Sequence, residues 1–192
     1  MNDCAINEIL KFDSTKPMAT IQIQIIVSLS IVIFSTLTFS IIMKLFMSDN
    51  FMSKIENDQI LELGRIKNKG VSLPLLTLGE IVNGCIHSPI SEELFFRFLL
   101  FKILFVNKMN INPHIANYMQ AFIFGGLHMS NSIYSEQKLN MSIAQSISSF
   151  ITGVLCGYSY YYTNSILPSM CAHIINNLIS SCNQIHDYKT NL

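Results

Sequence analysis

LNMSIAQSISSFITGVLCGYSYYYTNSILPSMCAHIINNLISSCNQIH, residues 139 to 186, contains no Asp, Glu, Lys or Arg. A stretch of that length on a soluble surface carries charge at roughly one position in four. A helix crossing the hydrocarbon core of a bilayer needs about 20 largely apolar residues at about 1.5 Å each, so this tract holds two passes. The tight polar break at Thr163 to Ser165 separates them. Pro168 just beyond suits an early helical position, where its missing N–H would lack a partner in any case. Met109 to Ser135 is a second uncharged tract, with room for one more pass.

The whole chain follows the same pattern. Half of its 192 residues are hydrophobic and 12% are charged, and its twelve acidic and twelve basic side chains cancel. A neutral chain carries no overall field to draw in nucleic acid, so no nucleic-acid partner is expected. The expected surroundings are membrane lipid. The five cysteines, Cys4, Cys85, Cys156, Cys171 and Cys182, are odd in number and lie mostly in apolar stretches. That argues against a disulfide framework and for small packed side chains.

Working outward, residues 1–17 are polar, and Met18 to Met43 forms a first span ending at Lys44. Its core starts too late and runs too long for a secretory signal, so it is read as retained. Lys44 to Gly70 is the one long hydrophilic connection, and its Lys44, Lys54, Arg65, Lys67 and Lys69 place it on the cytoplasmic side by the positive-inside tendency. Within it Phe51, Ile55, Ile60 and Leu63 are spaced like one side of a helix, lying on the membrane or packed on the bundle. Val71 to Pro89 reads as a short buried or re-entrant helix. Further helices are expected over Ile90 to Val106, His114 to Met129, Met141 to Tyr162 and Ile166 to Cys182. The expectation is an all-α, polytopic transmembrane bundle of about five to six helices, an integral multi-pass membrane protein. Residues 18–184 form its single domain, with its motifs within 80–180, and residues 185–192 are a polar tail. The sequence leaves oligomeric state open.

Ionisable side chains inside a span cost about 2.5 to 3.5 kcal/mol each on insertion scales, so each calls for a partner or a task. Glu92-Glu93-Leu94-Phe95-Phe96-Arg97 holds three. Glu93 and Arg97, four apart, share a helix face and can pair, which leaves Glu92, rotated by about 100°, to face something else. The alternative is an ordinary helix start at the membrane interface. The next helix carries Phe124-Gly125-Gly126-Leu127-His128, in which two glycines admit a neighbouring helix just before a histidine. The last places His173 and Asn177 on one face. One Glu and two His on three helices can converge either as zinc ligands, Glu92, His128 and His173, with a position open for water, or as a metal-free site with a carboxylate base.

These residues resemble a family of membrane peptidases, the CAAX proteases and bacteriocin-processing enzymes. Glu92-Glu93-x-x-x-Arg97 is similar to its first motif, Phe124-x-x-x-His128 to its second and His173-x-x-x-Asn177 to its third. The approach to the third, with Gly153, Gly157, Tyr162, Thr163, Ser165 and Pro168, is similar too. The resemblance covers residues 80 to 180. It implies a polytopic helical endopeptidase acting on a membrane-associated or lipidated peptide, such as a prenylated CAAX sequence. It also implies that Glu92 and His128 hold and deprotonate the attacking water while His173 and Asn177 donate to the oxyanion, with Glu93, Arg97 and Phe124 in support. Relatives of greater length carry a longer N-terminal helical portion, which puts substrate class in question here.

The resemblance leaves metal-dependent and metal-free catalysis both open, and no His-Glu-x-x-His zinc motif occurs. Gly157-Tyr158-Ser159-Tyr160 is not a serine elbow, and no span carries an Asp for an aspartyl dyad. Two further classes remain open. One is a catalytically silent scaffold or bacteriocin-immunity protein of the same fold. The other is a transporter with Glu80, His87 and Glu92 along a water path.

Overall fold

A computed structural model describes residues 10–46, 78–130 and 139–190. The chain is all-α, and the described residues form five helices. We label them α1 (Ile21–Phe46), α2 (Glu80–His87, Ser88–Glu93 and Leu94–Lys108 in one unbroken run), α3 (Pro113–Met129), α4 (Leu139–Thr163) and α5 (Leu167–Thr190). The expected helix around Phe51, Ile55, Ile60 and Leu63 lies outside the described residues.

Among the described residues two helices are long and apolar enough to cross a membrane: α1 over Ile21–Leu45, with mean hydropathy 2.4, and α4, with mean hydropathy 1.3. In each the most apolar window is only 28% buried. A core helix of a soluble protein would hide most of such a window, so these side chains are built to face an apolar surrounding.

The expected break between a short helix ending at Pro89 and a span starting at Ile90 is absent. His87, Ser88, Glu93 and Leu94 all keep right-handed helical angles, and one helix continues through Pro89. The turns on either side are widened to π geometry. Ser88 donates its N–H to the Asn83 carbonyl five residues back, and Met109 donates to Leu104. The widening explains how proline is accommodated. With Ser88 bonded to Asn83, the Gly84 carbonyl would await the N–H of residue 89, and Pro89 has none. Asn177 on α5 supplies the donor, its Nδ2 lying 2.9 Å from the Gly84 oxygen. At the C-terminal side, α5 runs on past the expected end of its span at Cys182 as far as Thr190, into the segment expected as a polar tail.

Helices α3 and α4 pack most closely, through glycine. A Cβ on Gly125 would approach the Ser146 carbonyl at 2.7 Å, one on Gly153 would meet Ala121 and Phe124 at 3.2 Å, and one on Gly157 would overlap Asn117 Oδ1. Gly126 has nothing within 4 Å of its Cβ position, so of the two adjacent glycines only Gly125 serves helix approach. Polar groups then bond across the seam, Asn117 Nδ2 to the Val154 carbonyl and Gln120 Nε2 to the Gly153 carbonyl, each at 3.0 Å.

Helix α1 closes on α4 and α5 through Ile31, Val32, Cys156 and Ala172, and Asn176 Nδ2 donates to Ser35 Oγ at 2.7 Å. Cys85 and Cys156 are buried free thiols, whereas Cys171 and Cys182 are exposed. The segment before α1 is strapped to the α4–α5 connection. Asn164, at φ 52°, accepts from the Asp13 N–H and donates to the carbonyls of Asp13 and Lys16, while Ala19 N–H bonds the Thr163 carbonyl. Asn is among the few residues that tolerate this left-handed angle. Phe12 seals the strap against Phe101, Tyr160 and Tyr161.

Candidate active site

Helix α2 delivers both acids at its centre. Glu92 and Glu93 diverge as their spacing requires, and their surroundings differ. Glu93 is fully buried, whereas the Glu92 side chain is 32% exposed. Arg97, one turn on and also fully buried, sets its Nε 3.1 Å from Glu93 Oε2, in contact without the alignment of a hydrogen bond. Its guanidinium lies over the Phe124 ring at 4.8 Å and near Phe96 at 6.0 Å, a cation–π setting that compensates a desolvated charge.

Arg97 is not the sole partner of Glu93. His173 on α5 donates its Nδ1–H to Glu93 Oε1 at 3.0 Å, and its Nε2 lies 3.7 Å from Glu92 Oε2. The imidazole therefore stands between the two adjacent carboxylates, one fixing its ring and the other meeting its free edge. Glu92 is held in turn by Ser88, whose Oγ donates to Oε1 at 2.6 Å. Spacing disclosed the Glu93–Arg97 pair. It did not disclose the His173 contact, which joins residues 80 positions apart.

His128 closes α3. Its Nδ1 lies 2.9 Å from the Phe124 carbonyl, which can only accept, so Nδ1 carries a hydrogen and the neutral ring holds its lone pair on Nε2. Glu92 and His128 line one cavity of about 350 Å³ together with Phe96, Phe124, Leu127 and Gln145. Phe124 packs edge-on to both histidines, its centroid 5.0 Å from His128 and 6.0 Å from His173. The structure thus joins Glu92 to His128 through a shared cavity and to His173 by direct approach. Asn177 lies one turn beyond His173 with one amide hydrogen on the Gly84 carbonyl. Gln145 and Ser88 escaped the sequence reading. Ser88 could have been found from its spacing of four to Glu92, while Gln145 carries no local signal beyond being an amide in an apolar helix.

Among the described residues no three His, Cys, Asp or Glu side chains gather closely enough to hold a metal ion. Glu92, His128 and His173, all described, are not such a group. A metalloprotease reading is not supported. Of the polar groups a transport path would use, His87 is exposed and the Glu80 side chain lies outside the described residues.

The site so assembled, a carboxylate and an imidazole facing one cavity with a second imidazole clamped behind the carboxylate, has the parts for activating water against a peptide carbonyl. No curated protein and no solved structure matches the chain. Residues 74–179, more than half of the chain, match the family described as Type II CAAX prenyl endopeptidase Rce1-like, and all the residues of the site fall within that stretch. The chain therefore belongs to the Rce1-like family of type II CAAX prenyl endopeptidases, a family of polytopic membrane proteins.

Proposed function

We propose that this protein is an intramembrane endopeptidase that hydrolyses a peptide bond in a membrane-associated substrate, such as one next to a prenylated cysteine. Glu92 takes a proton from the attacking water and returns it to the leaving amine as the C–N bond breaks, and His128 orients that water through the Nε2 lone pair of its neutral ring, whose Nδ1–H is engaged by Phe124. For the oxyanion of the tetrahedral intermediate, the donors in this reading are the second amide hydrogen of Asn177 and, with the ring in its doubly protonated form, the Nε2–H of His173, whose Nδ1–H is held by Glu93. Phe96, Phe124 and Leu127 give the cavity apolar walls for an aliphatic substrate side chain.

The observation that carries this reading is the meeting of Glu92 and His128 on one cavity, within the stretch that matches the family. The test is hydrolysis of a farnesylated CAAX-type peptide by the full chain in proteoliposomes. Replacing Glu92→Gln should lower the rate by about 10² to 10⁴, the usual worth of a positioned general base, with the unfolding midpoint unchanged. Cleavage at the parental rate would remove the assignment. A scaffold of the same fold would instead keep its partner after Glu92→Gln and His128→Gln together.

A further inference from the structure

One end of the bundle carries a concentration of aromatic side chains that the site does not use. Tyr118 on α3 meets Tyr158 on α4 edge to face at 6.3 Å. Tyr158 stacks on Tyr162 at 5.8 Å, and Tyr161 packs edge-on to Tyr162 at 5.0 Å. His114 Nδ1 lies 3.3 Å from the Tyr158 hydroxyl. Tyr118 and Tyr162 are 51% and 69% exposed. A buried core would have enclosed these rings, and an ordinary soluble surface would not cluster them.

Their place along the helices gives the pattern its meaning. Beyond them, away from the site, lie Asn110, Asn112 and the strap with Asp13, Thr15 and Lys16, all polar and mostly exposed. On the site side, the outward residues of α3 are Phe122, Ile123 and Leu127, at 73%, 40% and 55% exposure, with no polar group among them. A surface that passes from charged and amide groups through tyrosines to bare hydrocarbon side chains matches the sequence of environments at a bilayer boundary, where Tyr and Trp concentrate.

We propose that Tyr118, Tyr158, Tyr161 and Tyr162, with His114, form a girdle that seats this end of the bundle at the headgroup–acyl boundary of a phospholipid bilayer. The girdle sets the depth of the catalytic cavity. From Tyr118 to His128 is ten residues, and from Tyr158 back to Gln145 thirteen, so the cavity lies about 15 to 20 Å below the girdle at 1.5 Å per residue. In a hydrocarbon core about 30 Å thick that is near the middle. Helix α1 fits the same frame. It starts beside the girdle, where Ala19 bonds Thr163, and runs for 26 residues, about 39 Å, with Lys44 in its last turn at the opposite face.

The chain contains no tryptophan, so each introduced Trp reports alone. Single variants Tyr118→Trp, Tyr162→Trp, Phe122→Trp and Leu127→Trp, all at exposed positions, would be made in the full chain and reconstituted in phosphatidylcholine vesicles. Quenching by aqueous acrylamide and by lipids brominated high or low on the acyl chain then gives each depth. The girdle predicts strongest quenching by shallow-brominated lipid for Tyr118→Trp and Tyr162→Trp, and by deep-brominated lipid for Leu127→Trp, with acrylamide at least about threefold weaker on the last. Equal depth for Tyr118→Trp and Leu127→Trp would overturn the proposal. So would a Tyr118→Trp reached by acrylamide but by no brominated lipid, or by neither quencher, as at an interface between two copies. The readout involves no hydrolysis, so it stands or falls separately from the peptidase assignment.

Discussion

Replacing Asn177 by alanine should cost stability in the parent chain and almost none when Pro89 is alanine as well. Asn177 Nδ2 occupies a carbonyl at Gly84 that the helix cannot satisfy itself, because the N–H it would use belongs to a proline. Side-chain hydrogen bonds between membrane helices average about 0.6 kcal/mol and reach about 1.7. Loss of a donor to an otherwise unsatisfied acceptor falls in the upper part of that range, so Asn177→Ala should cost about 1 kcal/mol. Pro89→Ala restores a backbone N–H at the right place. Pro89 is fully buried, and removing its ring has a separate cost that cancels in a double-mutant cycle. The coupling between the two substitutions should then be about 1 kcal/mol, read from reversible unfolding in mixed micelles followed by helical circular dichroism. Equal costs for Asn177→Ala in both backgrounds, within about 0.3 kcal/mol, would refute the account of the carbonyl. Turnover separates the two tasks given to this side chain. If Asn177 also faces the oxyanion, the double variant regains stability without regaining activity.

Arg97→Met should destabilise the bundle by about 3 to 5 kcal/mol, because it leaves Glu93 as a buried charge without its guanidinium partner, and adding Glu93→Gln should recover part of the loss in the same unfolding assay. Gly157→Ala forces a methyl onto Asn117 Oδ1 and should cost about 1 to 3 kcal/mol, whereas Gly126→Ala meets open space and should be neutral or stabilising; the two midpoints measured side by side check the assignment of the helix seam. The strap should be sensitive to acid. Hydrogen bonds from the Thr15 hydroxyl and backbone N–H hold the Asp13 carboxyl below its ordinary value of 3.8, with Lys16 assisting. A group whose folded value is lowered stabilises above its ordinary range and loses that contribution as pH falls through the folded value. Acid-active protease should therefore cut the strap faster below that range in the parent, and the difference should vanish in Asp13→Asn.

Charge-free tracts and spacings of four made much of this molecule readable in advance. The tract from Leu139 placed both ends of α4 and the start of α5 within about two residues, though α5 runs on to Thr190, and the offset between Glu93 and Arg97 identified a pair that does form. Both are local, and local geometry is what a helix repeats faithfully. Pro89 misled because proline ends helices by removing one donor, and here another helix supplies it across 93 residues. The tie between Glu93 and His173 is invisible for the same reason. The adjacent glycines Gly125 and Gly126 are chemically alike, and only the position of Ser146 and Phe150 tells them apart. Glu92, His128, His173 and Asn177 were all legible as polar groups set in apolar helices. That Phe124 would pack against both imidazoles was not, since it follows from how three helices lean on one another.

The clasp between residues 10–19 and Asn164 constrains the order in which the chain is built. Asp13 leaves the ribosome some 150 residues before the asparagine that receives it. Until the α4–α5 hairpin has entered the bilayer, the start of α1 has no backbone partner at Thr163 and Phe12 has no Tyr160 to rest on. The strap must wait for helices made some 150 residues later, and the clasp shuts only on a bundle in which α4 and α5 are already threaded.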